Sequence, residues 1–248
     1  HSRVRAARVI PTGKQGHVRV EIAVHEGPPT IVRSALPSGL NTVPLEHQAA
    51  ILNAVEKGLK PGDRFDETIY EQTKDRIRAE LKNRGFAWAE VEGRVQVNLL
   101  DLSATIQYEI KAGPLFLVRS VTFLGIQDLP REPIRRVFNV NPGDSFSAKD
   151  LETGKNALLD LGVLADVQVS WPSGDPQAPT NIPRNKAGQP AVDVVVRCTP
   201  APLRTIKLGV GTELDTIRAD VHGVAGWESR NFLGGLRRFT VTAMPGIV

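Results

Sequence analysis

Cysteine is almost missing from these 248 residues: the single thiol, Cys198, leaves no partner for an intrachain disulfide. Such a chain suits the cytosol, and equally a periplasmic protein that avoids thiols. Aromatic residues are scarce at 5%, and no dense basic cluster offsets that scarcity. The net charge of +4 is spread over Arg3, Arg5 and Arg8 at the start, Arg184 and Lys186 in a loop, and Arg237-Arg238 near the end. Nucleic-acid surfaces join a basic stripe to interleaved aromatics, so no nucleic acid is expected as a partner. Long apolar runs are also lacking. Nothing approaches the ~20 residues of a membrane helix. No secretory leader is read in the chain, so any targeting segment is expected upstream of His1 or already removed. One membrane option survives: β-strands, whose signal is short alternation.

Signatures of catalysis are thin. The five histidines, His1, His17, His25, His47 and His222, show no metal-binding spacing. Cys198 reads as a buried strand thiol. Gly209-Val210-Gly211 lacks the following helix that a dinucleotide site needs. Asp63 and Asp144 each follow Pro-Gly, where a turn role explains them better than a carboxylate pair. The chain is therefore expected to be no enzyme and to hold no metal or cofactor.

With 41% hydrophobic and 23% charged residues, the chain has the composition of ordinary globular protein, long enough for two or three small domains. It also repeats. Gly27-Pro28-Pro29-Thr30-Ile31-Val32-Arg33-Ser34 returns 86 residues later as Gly113-Pro114-Leu115-Phe116-Leu117-Val118-Arg119-Ser120, and a further 86 lands on Thr199-Pro200 after Val194-Val195-Val196. Each site is a strand ending at a proline, which cannot donate to a continuing ladder. Inside each repeat, Pro61-Gly62-Asp63-Arg64-Phe65-Asp66 matches Pro142-Gly143-Asp144-Ser145-Phe146-Ser147. Pro-Gly marks a turn, and Asp66 or Ser147 can cap a helix.

The helix after Asp66 carries Ile69, Thr73, Ile77 and Leu81 at helical spacing and stops at Asn83-Arg84-Gly85. Its counterpart runs from about 148 to 161, with Leu151, Leu158 and Leu159 on one side, and stops at Gly162. Earlier helices are expected near 45–57 and 131–138. Alternating strands follow each closing glycine, at 89–97 and 104–111, then at 166–171 and 192–197 across a polar loop from Pro172 to Pro190. Each module thus reads β-α-α-β-β, an α+β unit with helices covering one sheet face. Residues 1–26 supply only Val4–Ile10 and His17–Val24, the closing hairpin of a module without its helices.

In the terminal segment, Ile206, Leu208 and Val210 alternate with Lys207, Gly209 and Gly211. Ile217, Ala219, Val221, Ala225 and Trp227 alternate with Arg218, Asp220, His222 and Gly226, and Phe239, Val241 and Ala243 with Thr240 and Thr242. Apolar-out, polar-in segments of this kind suit a transmembrane barrel, with His222 in the lumen and Trp227 as an interfacial anchor. Three strands cannot close a barrel, which needs about eight or more. Val248 is therefore expected to be a point of truncation.

The order strand, helix, Pro-Gly-Asp, helix, Leu-Gly, strand, together with Leu-Asp-Leu-Gly-Val-Leu-Ala-Asp-Val-Gln-Val over 159–169, resembles the POTRA-containing outer-membrane assembly factors of the BamA and TamA superfamily. Leu164 stands where that family usually has Phe, and Arg33-Ser34-Ala35-Leu36-Pro37 departs from its usual continuation of the first strand. Trp227-Glu228-Ser229-Arg230-Asn231-Phe232-Leu233-Gly234-Gly235 resembles the early barrel turn, which marks Trp227, Arg230, Asn231, Leu233, Gly234 and Gly235. A hairpin plus two modules looks more like TamA than like the two-POTRA secretion transporters.

The resemblance implies this division: 1–27, the end of a truncated POTRA module; 28–113 and 114–202, two POTRA modules; 203–248, the first strands of an outer-membrane β-barrel. It implies periplasmic modules that receive or relay unfolded outer-membrane protein precursors, a periplasmic or inner-membrane partner protein, and a barrel in outer-membrane lipid that templates insertion. A two-partner secretion pore and a periplasmic peptide-binding scaffold remain the alternatives. Sheet edges are the natural receivers of an extended precursor. The second strand of each module is the candidate edge: Val91, Arg94, Val95, Gln96 and Val97 in one, Asp166, Val167, Val169 and Trp171 in the other. Such edges can equally sit in solvent or pack on a neighbouring module.

Overall fold

The computed structural model describes residues 3–12, 16–25, 27–127, 129–177, 182–214 and 219–247. His1, residues 13–15, and Ile217 and Arg218 lie outside the described residues, as do the side chains of Ala219, Asp220, Val221 and His222. The chain divides into two compact units, residues 1–80 with 90–112, and residues 81–89 with 113–248.

The first unit opens with an antiparallel pair, β1 (Arg3–Pro11) and β2 (Val18–His25). There follow β3 (Ile31–Ser38), α1 (Leu45–Glu56), α2 (Glu67–Lys82), β4 (Glu90–Asn98) and β5 (Ser103–Lys111). The sheet order is β3-β5-β4, with β3 parallel and β4 antiparallel to the central β5. Alternation along β5 sends Ala104, Ile106, Tyr108 and Ile110 inward, all nearly inaccessible, so this strand is the floor of the core. Fully burying such a side chain contributes about 1.5–3 kcal/mol.

Asp66 caps α2 by accepting from Thr68 N at 2.8 Å and Ile69 N at 3.1 Å. The buried row of α2 is Tyr70, Thr73, Ile77 and Leu81, whereas the sequence pattern expects Ile69 to begin it. Ile69 is 39% exposed because Tyr70 turns inward instead, stacking on Tyr108 at 5.7 Å and lying over Gly93 of β4.

The second unit repeats the order as β6 (Leu117–Leu124), α3 (Arg131–Phe138), α4 (Ala148–Asp160), β7 (Leu164–Ser170) and β8 (Ala191–Pro200), in sheet order β6-β8-β7. Ser147 Oγ caps α4 by accepting from Asp150 N, and Gly162 at φ +66 ends it. Two sequence expectations shift here. Trp171 falls one residue past the end of β7, where its ring packs on Phe146 at 5.1 Å and leaves the ladder. The third proline-marked end does not precede its proline, since β8 includes Pro200 opposite Leu164.

Both Pro-Gly-Asp turns are built alike. Asp63 accepts from Lys60 N and Asp144 from Asn141 N, each at 2.8 Å, so these carboxylates do turn work. Each turn also docks on the first strand of its own repeat. Val32 N donates to Asp63 O and receives Gly62 N at its own carbonyl, as Val118 does with Asp144 O and Gly143 N.

Residues 81–89 join the core of the second unit, where Ala87 and Trp88 are buried beside Phe116. A further sheet completes this unit: β9 (Arg204–Leu214), β10 (Ala219–Ser229), β11 (Phe239–Ala243) and the short β12 (Gly246–Ile247), with β10 bonded to the other three. This sheet is not closed among the described residues. No helix among them is long and apolar enough to cross a membrane, which says nothing of β-barrels.

Candidate functional site: free strand edges and the terminal sheet

Four strands border the two repeat sheets, and they are not equally open. At β3 and β6 the outer edge is partly taken by the Pro-Gly-Asp turn just described. Each also carries a register shift at an arginine, Arg33 or Arg119, so the edge is bulged. Those arginines pair with Asp101 at 2.9 Å and with Asp193, whose carboxyl is held below the usual carboxylate range by the Arg119 hydrogen bond.

The direction of the amides on β4 follows from one bond. Ile31 N donates to Leu102 O across the parallel pair. Peptide groups of one residue point to one side, so the even-numbered residues of β5 serve β3 and the odd-numbered ones serve β4. Their β4 partners are Glu90, Glu92, Arg94, Gln96 and Asn98. The N–H and C=O groups of Val91, Gly93, Val95 and Val97 therefore point away from the sheet. β4 keeps unbroken register over all nine residues. The same reasoning from Leu117 N donating to Pro190 O leaves Val167 and Val169 outward on β7, where a register shift at 164–166 breaks the edge. On β4 the Val91 carbonyl accepts from Arg78 Nη2 at 3.5 Å, and from Gly93 to Val97 the edge is open, the longest unbulged open stretch of the four.

Of the sequence-derived edge residues, Val91 is buried, Val95 half-buried and Val97 exposed on the helix-facing side. Arg94 and Gln96 lie on the other face, where Arg94 pairs with Glu109 at 3.3 Å and Glu92 with Lys111. In β7, Val167 is buried, Val169 partly so and Asp166 exposed. Gly93 is an edge residue that periodicity alone does not single out: a Cβ there would lie 1.9 Å from the Tyr70 hydroxyl.

The early-turn residues sit at the end of β10 and in the connection to β11. Trp227 clusters with Phe232 and Phe239 at about 6 Å, and those two rings stack at 4.7 Å. Leu233, Gly234, Gly235 and Leu236 all take positive φ, which needs glycine most at the two central positions. Asn231 Oδ1 accepts from Leu236 N at 3.2 Å and holds this turn. On β9, Ile206, Leu208 and Val210 are 73%, 81% and 84% exposed, an open apolar row. The opposite face carries Glu228, only 3% exposed and ringed by Lys207, Arg230 and Arg238, a cluster that the alternation does not single out.

Nothing among the described residues gathers three or more His, Cys, Asp or Glu side chains as a metal would need. Cys198 is buried in β8, and burial pushes its thiol up from the ordinary value.

This twofold β-α-α-β-β repeat, each with its third strand central and its Pro-Gly-Asp turn docked on the first, defines a tandem-repeat domain protein. The POTRA family model, described as the surface antigen variable number repeat, matches residues 45–113 and 116–197, and the chain belongs to that family. Among solved structures, BamA from Haemophilus ducreyi lacking POTRA domains 1–3 is similar at TM-score 0.63 and 20% identity, over 86% of this chain. Haemophilus influenzae BamA POTRA3–5 is similar at TM-score 0.54 and 21% identity, over 80% of this chain and 72% of that one. These likenesses establish a shared fold. The chain spans 36% of the H. ducreyi structure's length.

Proposed function

We propose that this chain belongs to a non-enzymatic outer-membrane assembly factor whose POTRA repeats receive extended precursor segments by strand addition. The observation that carries the reading is the β4 edge, nine residues of unbroken register whose outward peptide groups at Gly93, Val95 and Val97 are open. An incoming strand gains main-chain hydrogen bonds there and meets Val95 and Val97 on the helix side. Edges at β3, β6 and β7 are occupied or bulged, so β4 is the receiver and β7 a lesser one. The sheet β9–β11 is the start of a barrel in outer-membrane lipid: its alternation, its open apolar row and its aromatic cluster support this. The POTRA repeats then stand in the periplasm. Within the superfamily the finer reading is TamA-like, resting on the β1–β2 pair ahead of the two matched repeats.

The test is site-specific crosslinking from Gln96 to an unfolded barrel precursor in the full-length protein. Val95→Pro removes one outward donor while sparing the β5 ladder, and it is expected to abolish the crosslink. Val169→Pro is expected to weaken it little. An undiminished crosslink in a folded Val95→Pro variant would sink the reading.

A further inference from the structure

The Glu228 cluster is explained neither by the repeats nor by the apolar row. A carboxylate this deeply covered is costly unless it is paired and hydrogen-bonded. Three cations surround it, and they are not equivalent. Lys207 at 3.7 Å and Arg238 at 3.0 Å are two-thirds exposed, where solvent screens their attraction. Arg230 is only about one-third exposed, and it reaches Glu228 through Nε at 3.1 Å.

The other end of that guanidinium has a second task. Arg230 Nη1 donates to Gly162 O at 3.1 Å, at the residue that closes α4. Gly162 lies just past the C-cap Leu161, so this bond ties the guanidinium to the turn that leaves α4. The Arg230 backbone is held as well, its N–H donating to Leu203 O at 2.9 Å. Around this polar link, Leu203 and Leu236 pack partly buried against the core of the second repeat. Apolar contacts of that kind hold two bodies together without fixing an angle, because burial is non-directional. Hydrogen bonds shared by a planar guanidinium do fix one.

We infer that Arg230 is a clamp that sets the attitude of the β9–β11 sheet on the second POTRA repeat, and that the Glu228 carboxylate keeps the clamp closed. Arg230 is thus a positioning residue: it joins the turn after α4 to the end of β10. The geometry holds whether or not the sheet lies in a bilayer, so it stands apart from the function proposed above.

Double electron–electron resonance on the full-length protein in detergent tests this, with spin labels at Asn156→Cys on α4 and Thr242→Cys on β11 in a Cys198→Ala background. The parent is expected to give one narrow distance peak. Arg230→Ala is expected to lose that peak to a broad distribution, while the tryptophan near-UV signal of the second unit stays unchanged. Arg230→Gln puts its amide nitrogen where Nε stands, so it can still donate to Glu228 but falls two atoms short of the Gly162 carbonyl, and it is expected to broaden too. Glu228→Gln keeps the size and removes only the charge, so it reports even if Arg230→Ala misfolds, and it is expected to broaden as well. A narrow peak unchanged in both Arg230→Gln and Glu228→Gln overturns the clamp.

Discussion

Trp88 and Trp171 grip one another's backbone: Trp88 Nε1 donates to Pro172 O at 3.0 Å, and Trp171 Nε1 donates to Ala87 O at 3.4 Å. Both indoles also fill apolar positions, Trp88 4.8 Å from Phe116 and Trp171 5.1 Å from Phe146. Residues 81–89 are thereby built into the second unit, aided by Phe116 N donating to Gly85 O and Lys149 N to Asn83 Oδ1, both at 2.9 Å. Tryptophan to phenylalanine keeps most of the packing and removes the donor. Trp88→Phe is expected to cost about 1 kcal/mol and Trp171→Phe less, because its bond is longer. The two costs should not add, since each bond holds the same pair of segments. Urea unfolding followed by circular dichroism gives all three values, and exact additivity would show the bonds to be independent.

Gly93 is expected to be the least replaceable residue on the β4 edge. A Cβ there would stand 1.9 Å from the Tyr70 hydroxyl and 2.6 Å from Cζ, so the ring itself must move. Tyr70 stacks on the fully buried Tyr108 and has little room to retreat. Gly93→Ala should cost about 1–3 kcal/mol by overpacking. In a Tyr70→Ala background the same change should cost much less, because the ring is gone. Equal costs in the two backgrounds would show that the ring is not the obstacle.

The bulge pair Arg119–Asp193 carries a pH signature. Arg119 Nε donates to Asp193 at 2.9 Å, Ser120 adds a second bond, and the carboxyl is held below its ordinary range. The unfolded chain then takes up this proton at a higher pH than the folded one. The pair therefore stabilises the repeat above about pH 4, and its contribution is lost as pH falls through the folded-state value. Both side chains are at least one-third exposed, so solvent limits the effect to about 1 kcal/mol or less. Asp193→Asn should lower stability at neutral pH, and the gap from the parent should close in acid. A gap that persists unchanged in acid assigns the loss to the hydrogen bonds rather than to the charge.

Local signals made much of the repeat legible. Gly85 and Gly162 end helices where the chain needs positive φ, and Asp66 and Ser147 begin them by accepting backbone amides. The second strand of each module was expected at a sheet edge, and β4 and β7 lie there. Bulges were not legible, because a register shift at Arg33 or Arg119 depends on the neighbouring strand and leaves no period of its own. The roles of Trp171 and Tyr70 were missed for a related reason. Trp171 reaches a carbonyl 84 residues away, and Tyr70 displaces Ile69 from the buried row only because Gly93 leaves space above β4. Glu228 was hidden by alternation, which places it on a polar face and cannot show that three cations gather on it.

The open face of β9–β11 gives the last prediction. Leu208 and Val210 share a row with Ile206 that is almost wholly exposed, while Thr242 lies on the other face, opposite Gly226, which Lys207 flanks on the far strand. In water such a row would be a liability for aggregation, because nothing among the described residues covers it. In a bilayer it is the proper surface, and a charge placed there is penalised by depth. Leu208→Arg should therefore destabilise the full-length protein in lipid or micelle by about 2–4 kcal/mol if that residue lies near the midplane. Thr242→Lys adds the same charge one strand pair away but on the polar face, so it should be tolerated. Heat-dependent mobility on native gels and recovery in the outer-membrane fraction report both variants. Equal damage from the two, or none from Leu208→Arg, would mean that the row does not face lipid, and that the sheet is not the start of a barrel.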